Sequence, residues 1–355
     1  MKRYNDIMKN YSANMINQSQ TIREALEKLD QLPDTLTLFV IDDNNKLVGT
    51  LTDGDIRRGL LKEISLQEPV ASFMFQHFRF LSYKKYHLED LRRIRNLGIR
   101  LVPILDDENR IVKIIDFSKR RSSLPVDAVI MAGGKGVRLH PLTLNTPKPL
   151  LKVGKKPIIE HNVDWLNTYG IHNLFITLRY LGQQIVDYLG DGQVKDMHIR
   201  YYWEKEPLGT LGAVAQIQGF THEYVLVMNS DILTNIDFED FFQELVEQDG
   251  DMIVATTSFN VKVPYGVIQT DNMLITGLEE KPTYTYYSNA GIYIFKRSII
   301  DWIPKNQPFN STDLINLLVQ KDMKVIHYPI LGYWLDIGKP ADYEKAQEDI
   351  KHIKF

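Results

Sequence analysis

The chain contains no cysteine, so it can form neither disulfide bonds nor metal sites with thiolate ligands. It also lacks an excess of positive charge, because 42 lysines and arginines against 45 aspartates and glutamates leave a formal net charge of −3. That balance gives no electrostatic support for nucleic-acid binding. No apolar run approaches the ~18 residues of a membrane span, and the first residues lack the apolar core of a signal peptide. We therefore expect a cytoplasmic protein with neither a nucleic-acid nor a membrane partner.

The length of 355 residues, with 44% hydrophobic and 25% charged content, predicts a globular protein of two or three domains. A basic cluster, two serines and a proline occupy residues 119–125, directly before an apolar segment. This composition is typical of a linker. We therefore expect one domain at residues 1–118 and another at residues 126–355.

The first 118 residues contain an internal repeat of a βαββα unit. In the first copy, apolar residues at helical spacing from Ile22 to Leu29 precede strands at 36–41 and 47–51. The second copy repeats this order, with a helix that ends near Gly98, an acidic turn, and strands on either side of that turn at residues 101–105 and 111–115. The repeat predicts two similar α+β modules.

After the linker, short apolar runs suited to buried parallel strands alternate with helical patterns. The apolar runs are residues 129–131, 174–177, 225–228 and 253–255, and the helical patterns cover residues 159–166 and 238–245. This alternation predicts a doubly wound α/β domain with ligands at the carboxyl ends of its strands. The remaining residues mix strands and turns and are expected to extend the same sheet.

A glycine-rich loop follows the first of these strands. Gly133, Gly134 and Gly136 leave room for an anion to approach backbone N–H groups, and Arg138 and Lys148 add positive charge. The loop lacks the Gly-Lys-Ser/Thr ending of a P-loop and the glycine spacing of the dinucleotide fingerprint. A polyphosphate ligand is therefore expected, at a site of a different type.

Two further segments, Pro141-Leu142-Thr143 and Pro147-Lys148-Pro149, make the loop pattern specific. The whole pattern resembles the signature of the sugar-phosphate nucleotidyltransferases, and the resemblance extends across residues 126–355. It implies a Rossmann-like nucleotidyltransferase domain that transfers a nucleotidyl group from a nucleoside triphosphate to a sugar 1-phosphate. The products would be pyrophosphate and an NDP-sugar.

The resemblance also implies which residues act. The catalytic residues would be Arg138, Lys148, Asp231, Lys281 and Asp336. The residues that contact the nucleotide would be Gly133, Gly134, Gly136, Glu206, Gly209, Thr210 and Gly212. The residues that contact the sugar would be Gly266, Glu280 and Asn289. Outside this family, neighbouring acidic and basic residues such as Glu280 and Lys281 usually form a solvated surface pair.

Mg²⁺ is the cofactor that the resemblance implies, held by Asp231 and Asp336. Two carboxylates and two substrate phosphates suit this ion, which prefers oxygen ligands and retains several waters. Without the resemblance, an aspartate after a strand would more readily be interpreted as a helix N-cap or a turn residue.

The choice of base is predicted from residues 204–213. This segment resembles a base-recognition loop that is frequent in guanylyltransferases, so GTP is the expected substrate, and small residues such as Gly209 and Gly212 are expected to admit the ring. Glu204 fits either base recognition or an ordinary loop. Related loops occur in uridylyl- and thymidylyltransferases, which remain alternatives. The chain departs from the family pattern at Val137, where threonine is usual, and at Leu211, where alanine is usual.

The front half resembles a tandem pair of CBS domains, a module that commonly binds adenosyl nucleotides and dimerises. In the first copy, Thr52 and Asp55 match the module's Gly-x-x-Thr-x-x-Asp ligand pattern. The second copy departs from the pattern, with Lys113, Asp116 and Lys119 at the corresponding places. A homo-oligomer is expected, and a dimerisation module without any ligand is an equal alternative.

The nearest group by resemblance is the CBS-linked guanylyltransferases for glucosamine 1-phosphate or mannose 1-phosphate of surface-glycan pathways. The alternative from another class is a catalytically idle protein that senses nucleotides.

Overall fold

The computed structural model describes residues 12–32, 36–83 and 88–353. It divides into two compact units, residues 1–123 and residues 124–355. None of the helices in the described ranges is long and apolar enough to cross a membrane.

The first unit contains two small sheets with the same topology. The first copy consists of β1 (Met15–Asn17), α1 (Ile22–Asp30), β2 (Thr37–Ile41), β3 (Leu47–Thr52) and α2 (Asp53–Leu60). The second copy consists of β4 (Leu81–Ser82), α3 (Leu88–Asn96), β5 (Leu101–Leu105) and β6 (Ile111–Asp116). In each copy the first strand pairs parallel to the second, and the second pairs antiparallel to the third. The second copy differs from the expected βαββα unit, because β6 leads into a turn at residues 117–119 rather than a helix.

Local sequence accounts for the helices of the first copy. The Thr21 hydroxyl accepts a hydrogen bond from the Glu24 N–H, and the Glu24 carboxylate accepts one from the Thr21 N–H, which is a capping box that starts α1. The apolar residues of α1 at helical spacing, Ile22, Ala25 and Leu29, are buried against the sheet. Burial of this stripe holds a helix that is too short to be stable alone.

The described part of the second unit is built on a seven-stranded sheet. Its strands are β7 (Val126–Ala132), β10 (Asn173–Leu178), β11 (His198–Trp203), β12 (Tyr224–Asn229), β14 (Met252–Lys262), β17 (Thr283–Lys296) and β18 (Val325–Pro329). Across the sheet they lie in the order β11-β10-β7-β12-β17-β14-β18. The helices α4 (Ile158–Thr168), α5 (Gly182–Leu189), α6 (Phe238–Glu247), α7 (Ser311–Gln320) and α8 (Pro340–Asp349) lie between or after these strands.

The predicted α/β class is confirmed, and the sheet is mixed rather than purely parallel. Strands β7, β10 and β12, which the sequence predicts at residues 129–131, 174–177 and 225–228, are parallel to one another. The run predicted at residues 253–255 lies in β14, which is parallel to β18, and β11 adds a parallel strand beside β10 that the sequence patterns did not predict. Strand β17 is antiparallel to both of its neighbours, β12 and β14. The reason is that the chain enters β17 from a strand extension and not from a crossover helix, so it returns in the opposite direction.

That extension and three small pairings complete the fold. Strands β14 and β17 continue beyond the sheet as a two-stranded ribbon from Thr256 to Asn289. Between them lies the hairpin of β15 (Val267–Asp271) and β16 (Leu274–Glu279). The other pairings join β8 (Lys152–Val153) to β9 (Lys156–Pro157), and β13 (Ile232–Thr234) to β19 (Trp334–Asp336). The pairing of β13 with β19 brings a late segment of the chain to the carboxyl end of β12.

Candidate functional site

The glycine-rich loop begins where β7 ends, at the carboxyl edge of the parallel strands. Gly136 has a left-handed backbone (φ 63°), and a Cβ there would come within 3.0 Å of the Lys148 Cβ. The Thr143 hydroxyl donates a hydrogen bond to the Gly136 carbonyl at 2.8 Å, which fixes the turn. Gly134 has no heavy atom within 4 Å of the place where a Cβ would stand. Gly136 is therefore required by packing, whereas Gly134 leaves open space in which an anion can reach the backbone.

The structure brings Asp231 and Asp336 together across the β13–β19 pairing. Ile232 lies opposite Asp336 in the ladder, and the Ile337 N–H donates to the Asp231 carbonyl at 3.0 Å. One oxygen of each carboxylate, Oδ1, is buried without a hydrogen-bond partner among the described residues. A buried carboxylate oxygen without a donor is costly unless a cation or another donor meets it.

Lys148 and Arg138 lie beside this carboxylate pair. The Lys148 ammonium makes an ion pair with Asp231 Oδ2 and lies 4.0 Å from Asp336 Oδ1. The Arg138 guanidinium packs against Gly338, where a Cβ would be 3.3 Å from Nη2. Burial and the nearby Asp231 charge raise the pKa of Asp336, while Lys148 and Arg138 oppose that rise. Four of the five predicted catalytic side chains therefore form one cluster, in which two cationic groups lie beside two carboxylates.

The donor set fits a divalent cation that is shared with substrate. Within the described ranges, no group of three or more histidines, aspartates or glutamates could hold a metal ion by itself. Mg²⁺ usually binds to proteins through one or two carboxylates and completes its shell with phosphates and waters. Two carboxylates beside an anion-binding loop, each with one buried oxygen that accepts no hydrogen bond from the described residues, provide that arrangement.

The glycines of the predicted base-recognition loop pack closely against another segment of backbone. A Cβ at Gly209 would be 2.8 Å from the Phe309 carbonyl oxygen, and one at Gly212 would be 2.6 Å from the Gln307 carbonyl oxygen. In the structure these two glycines admit the backbone that leads into α7, and their contact with a base ring stays a prediction. Thr210 takes part in the same contact, because its hydroxyl accepts a hydrogen bond from the Ser311 N–H at 2.7 Å.

Glu204, two residues before the predicted Glu206, lies between the two loops of the candidate site. Its carboxyl group contacts Gly133 and lies 3.4 Å from the Leu208 N–H, so it connects the glycine-rich loop to the base-recognition loop. Burial raises the pKa of Glu204, although the Leu208 N–H and Thr177 lower it in part. Glu206 is exposed. Sequence reasoning could have preferred Glu204, because it directly follows strand β11 at the carboxyl edge of the sheet.

The predicted sugar-contacting residues lie on the ribbon and at the base of its hairpin. The Glu280 carboxylate lies against Gly266, where a Cβ would be only 3.0 Å from Oε2. Lys281, beside it, is exposed and has a left-handed backbone (φ 48°).

Asn289 is oriented by two donors. Its side-chain oxygen accepts hydrogen bonds from the Gly291 N–H and from the Tyr293 hydroxyl, each at 2.9 Å. The Tyr293 oxygen also lies 2.9 Å from the Ser311 hydroxyl, which can donate to it. The amide nitrogen of Asn289 is thereby presented as a donor. The Trp334 indole N–H donates to the Ala290 carbonyl at 2.9 Å, which ties the Asn289 strand to the strand that carries Asp336.

In the first unit, the side chains of Thr52 and Asp55 are bonded to each other. The Asp55 carboxylate accepts hydrogen bonds from the Thr52 N–H at 2.9 Å and from the Thr52 hydroxyl at 2.6 Å. Arg58 pairs with the other carboxylate oxygen. These bonds form a capping box at the start of α2. A ligand that binds to Thr52 and Asp55 would have to replace these hydrogen bonds with its own.

In the second copy, two of the three corresponding residues, Lys113 and Asp116, also form hydrogen bonds within the unit. Burial alone would raise the pKa of Asp116, but hydrogen bonds from Ser118 and the charge of Arg100 lower it overall. The Lys113 ammonium donates to the Ser123 hydroxyl at 3.0 Å. Lys119 is exposed in the turn after β6.

Comparison with known sequences relates both parts of the chain to described families. A family described as nucleotidyl transferase matches residues 127–353, and the CBS domain matches residues 5–62. The mannose-1-phosphate guanylyltransferase of Mycobacterium tuberculosis is 30% identical over 233 residues, which are 63% of this chain and 64% of that protein. The chain thus spans less than two thirds of the length of this relative.

A shorter relative and two solved structures match over nearly their whole length. The D-glycero-alpha-D-manno-heptose 1-phosphate guanylyltransferase of Aneurinibacillus thermoaerophilus is 28% identical, over 64% of this chain and 99% of that protein. A putative glucose-1-phosphate thymidylyltransferase from Bacillus anthracis, solved with a sucrose, has a TM-score of 0.52 and 26% identity over 65% of this chain and 97% of its own. HddC from Yersinia pseudotuberculosis has a TM-score of 0.50 and 27% identity over 63% of this chain and 99% of its own.

Proposed function

The chain belongs to the nucleotidyl transferase family, as its motifs predict, and we propose that it transfers GMP from GTP to a sugar 1-phosphate. The observation that carries the proposal is the cluster of Arg138, Lys148, Asp231 and Asp336 beside the glycine-rich loop. Four charged side chains in a partly buried site are costly to keep unless they act on a charged ligand. The intact cluster argues against a catalytically idle sensor.

The reaction requires no nucleophile from the protein. An ionised oxygen of the sugar 1-phosphate attacks the α-phosphorus of the triphosphate in line, and the bond from that phosphorus to the bridging oxygen breaks. Pyrophosphate leaves with the bonding electrons, and the GDP-sugar remains. The protein's task is therefore to position two anions that repel each other and to neutralise the charge that develops on the transferred phosphate.

We assign the roles of the chain's own residues accordingly. The open backbone at Gly134 binds the triphosphate, Arg138 stabilises the leaving pyrophosphate, and Lys148 supports the phosphates. Lys281 guides the sugar phosphate, for which a flexible ammonium is suited. A divalent cation on Asp231 and Asp336, for which we propose Mg²⁺, would supply further positive charge to the phosphates.

Two groups would hold the sugar hydroxyls. The amide of Asn289 donates to one hydroxyl, and its orientation is fixed because Tyr293 and Gly291 occupy its oxygen. The Glu280 carboxylate, beside Gly266, accepts from another. Since the similar proteins are named as mannose-1-phosphate and heptose-1-phosphate guanylyltransferases, we propose a hexose or heptose 1-phosphate of this kind as the acceptor.

We propose Glu204 as the residue that reads the base. A carboxylate can accept hydrogen bonds from both the N1–H and the 2-amino group of guanine, whereas uracil and thymine offer a single N–H. Its contact with Gly133 places this acceptor next to the phosphate-binding loop. The guanylyltransferase names of the related sequences support the same base.

The test is release of pyrophosphate by the full chain with Mg²⁺, using GTP, UTP, dTTP and ATP against the 1-phosphates of mannose, heptose, glucose and glucosamine. We expect the highest kcat/KM with GTP, and loss of the preference for GTP over UTP in Glu204→Gln. Glu206→Gln is the matched control and should retain the preference. Faster turnover with UTP or dTTP would establish the alternative base, and no pyrophosphate with any pair would refute the transferase assignment.

A further inference from the structure

Lys148 and the proposed divalent cation have the same anionic partners. The Lys148 ammonium pairs with Asp231 and lies 4.0 Å from Asp336, and its side chain is only 10% exposed. The backbone bonds of the β13–β19 pairing hold the two aspartates next to each other. A divalent cation and an ammonium a few ångströms apart, in a site partly shielded from water, repel each other strongly.

Lys148 can leave the carboxylates without any change in the fold. Its Cβ is packed against Gly136, so its backbone is fixed at the edge of the glycine-rich loop. Its long side chain, by contrast, has four rotatable bonds and ends in a compact charge that needs no particular donor geometry. From the same anchor, which lies against Gly136, the ammonium can pair with Asp231 or turn to an anion bound at the glycine-rich loop.

We propose that Lys148 couples metal binding to nucleotide binding. Its ammonium holds Asp231 until a bound triphosphate draws it to the phosphates, and the divalent cation then takes its place on Asp231 and Asp336. Lys148 therefore weakens the binding of metal alone and releases the carboxylates only when the substrate that shares the metal is present. The inference rests on the proposed function for the identity of the nucleotide, but its first test does not require catalysis.

The first test measures binding of Mn²⁺ alone to the full chain by the electron paramagnetic resonance signal of the free ion. We expect Lys148→Met to bind Mn²⁺ at least ~10-fold more tightly than the unchanged protein, since the carboxylates lose their competing cation. Lys148→Arg retains the charge and should bind Mn²⁺ as weakly as the unchanged protein. Lys152→Met removes an exposed lysine four residues away and serves as the control that should change little. Equal Mn²⁺ affinity in the unchanged protein and in Lys148→Met would overturn the proposal.

The second test repeats the titrations with saturating α,β-methylene-GTP, which cannot be cleaved at the reacting bond, and subtracts the Mn²⁺ that the same concentration of analogue binds without protein. The advantage of Lys148→Met should fall below ~2-fold or reverse, because Lys148 then lies on the phosphates in the unchanged protein. An advantage of the same size with and without the analogue would mean that Lys148 acts only as a fixed charge, and would also overturn the proposal. If this analogue does not bind, the guanine assignment fails, and α,β-methylene-UTP replaces it in the same comparison. Circular dichroism melts of the Lys148 variants confirm that each is folded.

Discussion

At the scale of single residues, the carboxylate pair shows how distant positions become one site. Asp231 follows strand β12 and Asp336 ends strand β19, and the ladder sets Ile232 opposite Asp336. The motif resemblance named both residues, but no local pattern could have shown that Lys148 pairs with Asp231. That contact depends on where the loop after β7 folds back, which is a property of the tertiary structure.

Asp231→Asn and Asp336→Asn should each reduce turnover at least ~100-fold, because each removes a charge that we assign to transition-state stabilisation. Steady-state pyrophosphate release at limiting Mg²⁺ measures the effect. Asp342→Asn, close by in the chain and outside the proposed metal pair, is the comparison and should lose much less. Near-normal turnover in both Asp231 and Asp336 variants would remove the metal assignment.

A fully buried carboxylate outside this site, that of Asp127, contributes to stability instead of chemistry. Its side chain is completely buried and accepts hydrogen bonds from the His222 ring at 2.8 Å and from the Asn173 amide at 2.9 Å. Burial alone would raise the pKa of Asp127, but these bonds outweigh it and lower the pKa to about 2. A pKa below that of the unfolded chain means that ionisation of Asp127 favours the folded state.

Asp127→Asn should therefore lower the free energy of unfolding at pH 7 by about 2 kcal/mol. The stabilisation by Asp127 is fully present above the unfolded-state pKa of 3.8 and is lost as the pH falls toward about 2, so the two proteins should converge over that interval. Urea unfolding at several pH values measures the difference. Asp249→Asn, at a side chain that is 98% exposed, should show no such convergence. A gap between Asp127→Asn and the unchanged protein that stays constant with pH would contradict this account.

At the scale of helices, strands and loops, local sequence signals predicted where most elements lie but not which segments pack or pair with them. Helices α1 and α6 follow from their caps and from the spacing of their apolar residues, both of which are local. The antiparallel position of β17 and the packing of Gly209 and Gly212 on the chain before α7 are contacts between segments far apart in sequence. A glycine in a loop looks the same in the sequence whether it admits a ligand or a neighbouring backbone, so sequence alone could not show this packing.

The capping box at Thr52 makes a testable claim about α2. Thr52→Ala should lower the stability of the first unit by about 1 kcal/mol, because the Asp55 N–H loses its acceptor and the Asp55 carboxylate loses a donor. Thr52→Ser retains the hydroxyl and should be nearly neutral. Hydrogen exchange of residues 53–60 reports the fraying of the helix directly. Unchanged exchange in Thr52→Ala would mean that the cap is not important there.

At the scale of the whole molecule, the chain consists of two units with separate cores. Each hydrophobic cluster of buried residues draws its members from one unit, either residues 12–123 or residues 124–353. The linker expected at 119–125 and the tandem CBS assignment for both copies remain predictions, since the CBS family matches residues 5–62. The homo-oligomer likewise remains a prediction.

A fragment of residues 124–355 should fold alone and retain measurable transferase activity, because every residue of the proposed site lies within it. Deletion of residues 1–120 should weaken self-association if the CBS module is the oligomerisation element, as tandem copies expose self-complementary faces. Light scattering and pyrophosphate release on the fragment and the full chain measure both effects. An inactive but folded fragment would show that the first unit contributes to catalysis, and unchanged assembly would assign oligomerisation to the second unit.

The pairing of β13 with β19 also means that the two aspartates are synthesised at different times. A ribosome delivers residues one after another, so a nascent chain that has exposed Asp231 still lacks the strand that carries Asp336. At ~5–20 residues per second, roughly ten seconds of translation separate the two. During this interval the glycine-rich loop and the first aspartate are already made, yet the second carboxylate is missing. If Asp231 and Asp336 form the proposed metal site, a chain that stops before the WLD segment lacks one of the two carboxylates, and we expect such a chain to consume no nucleotide.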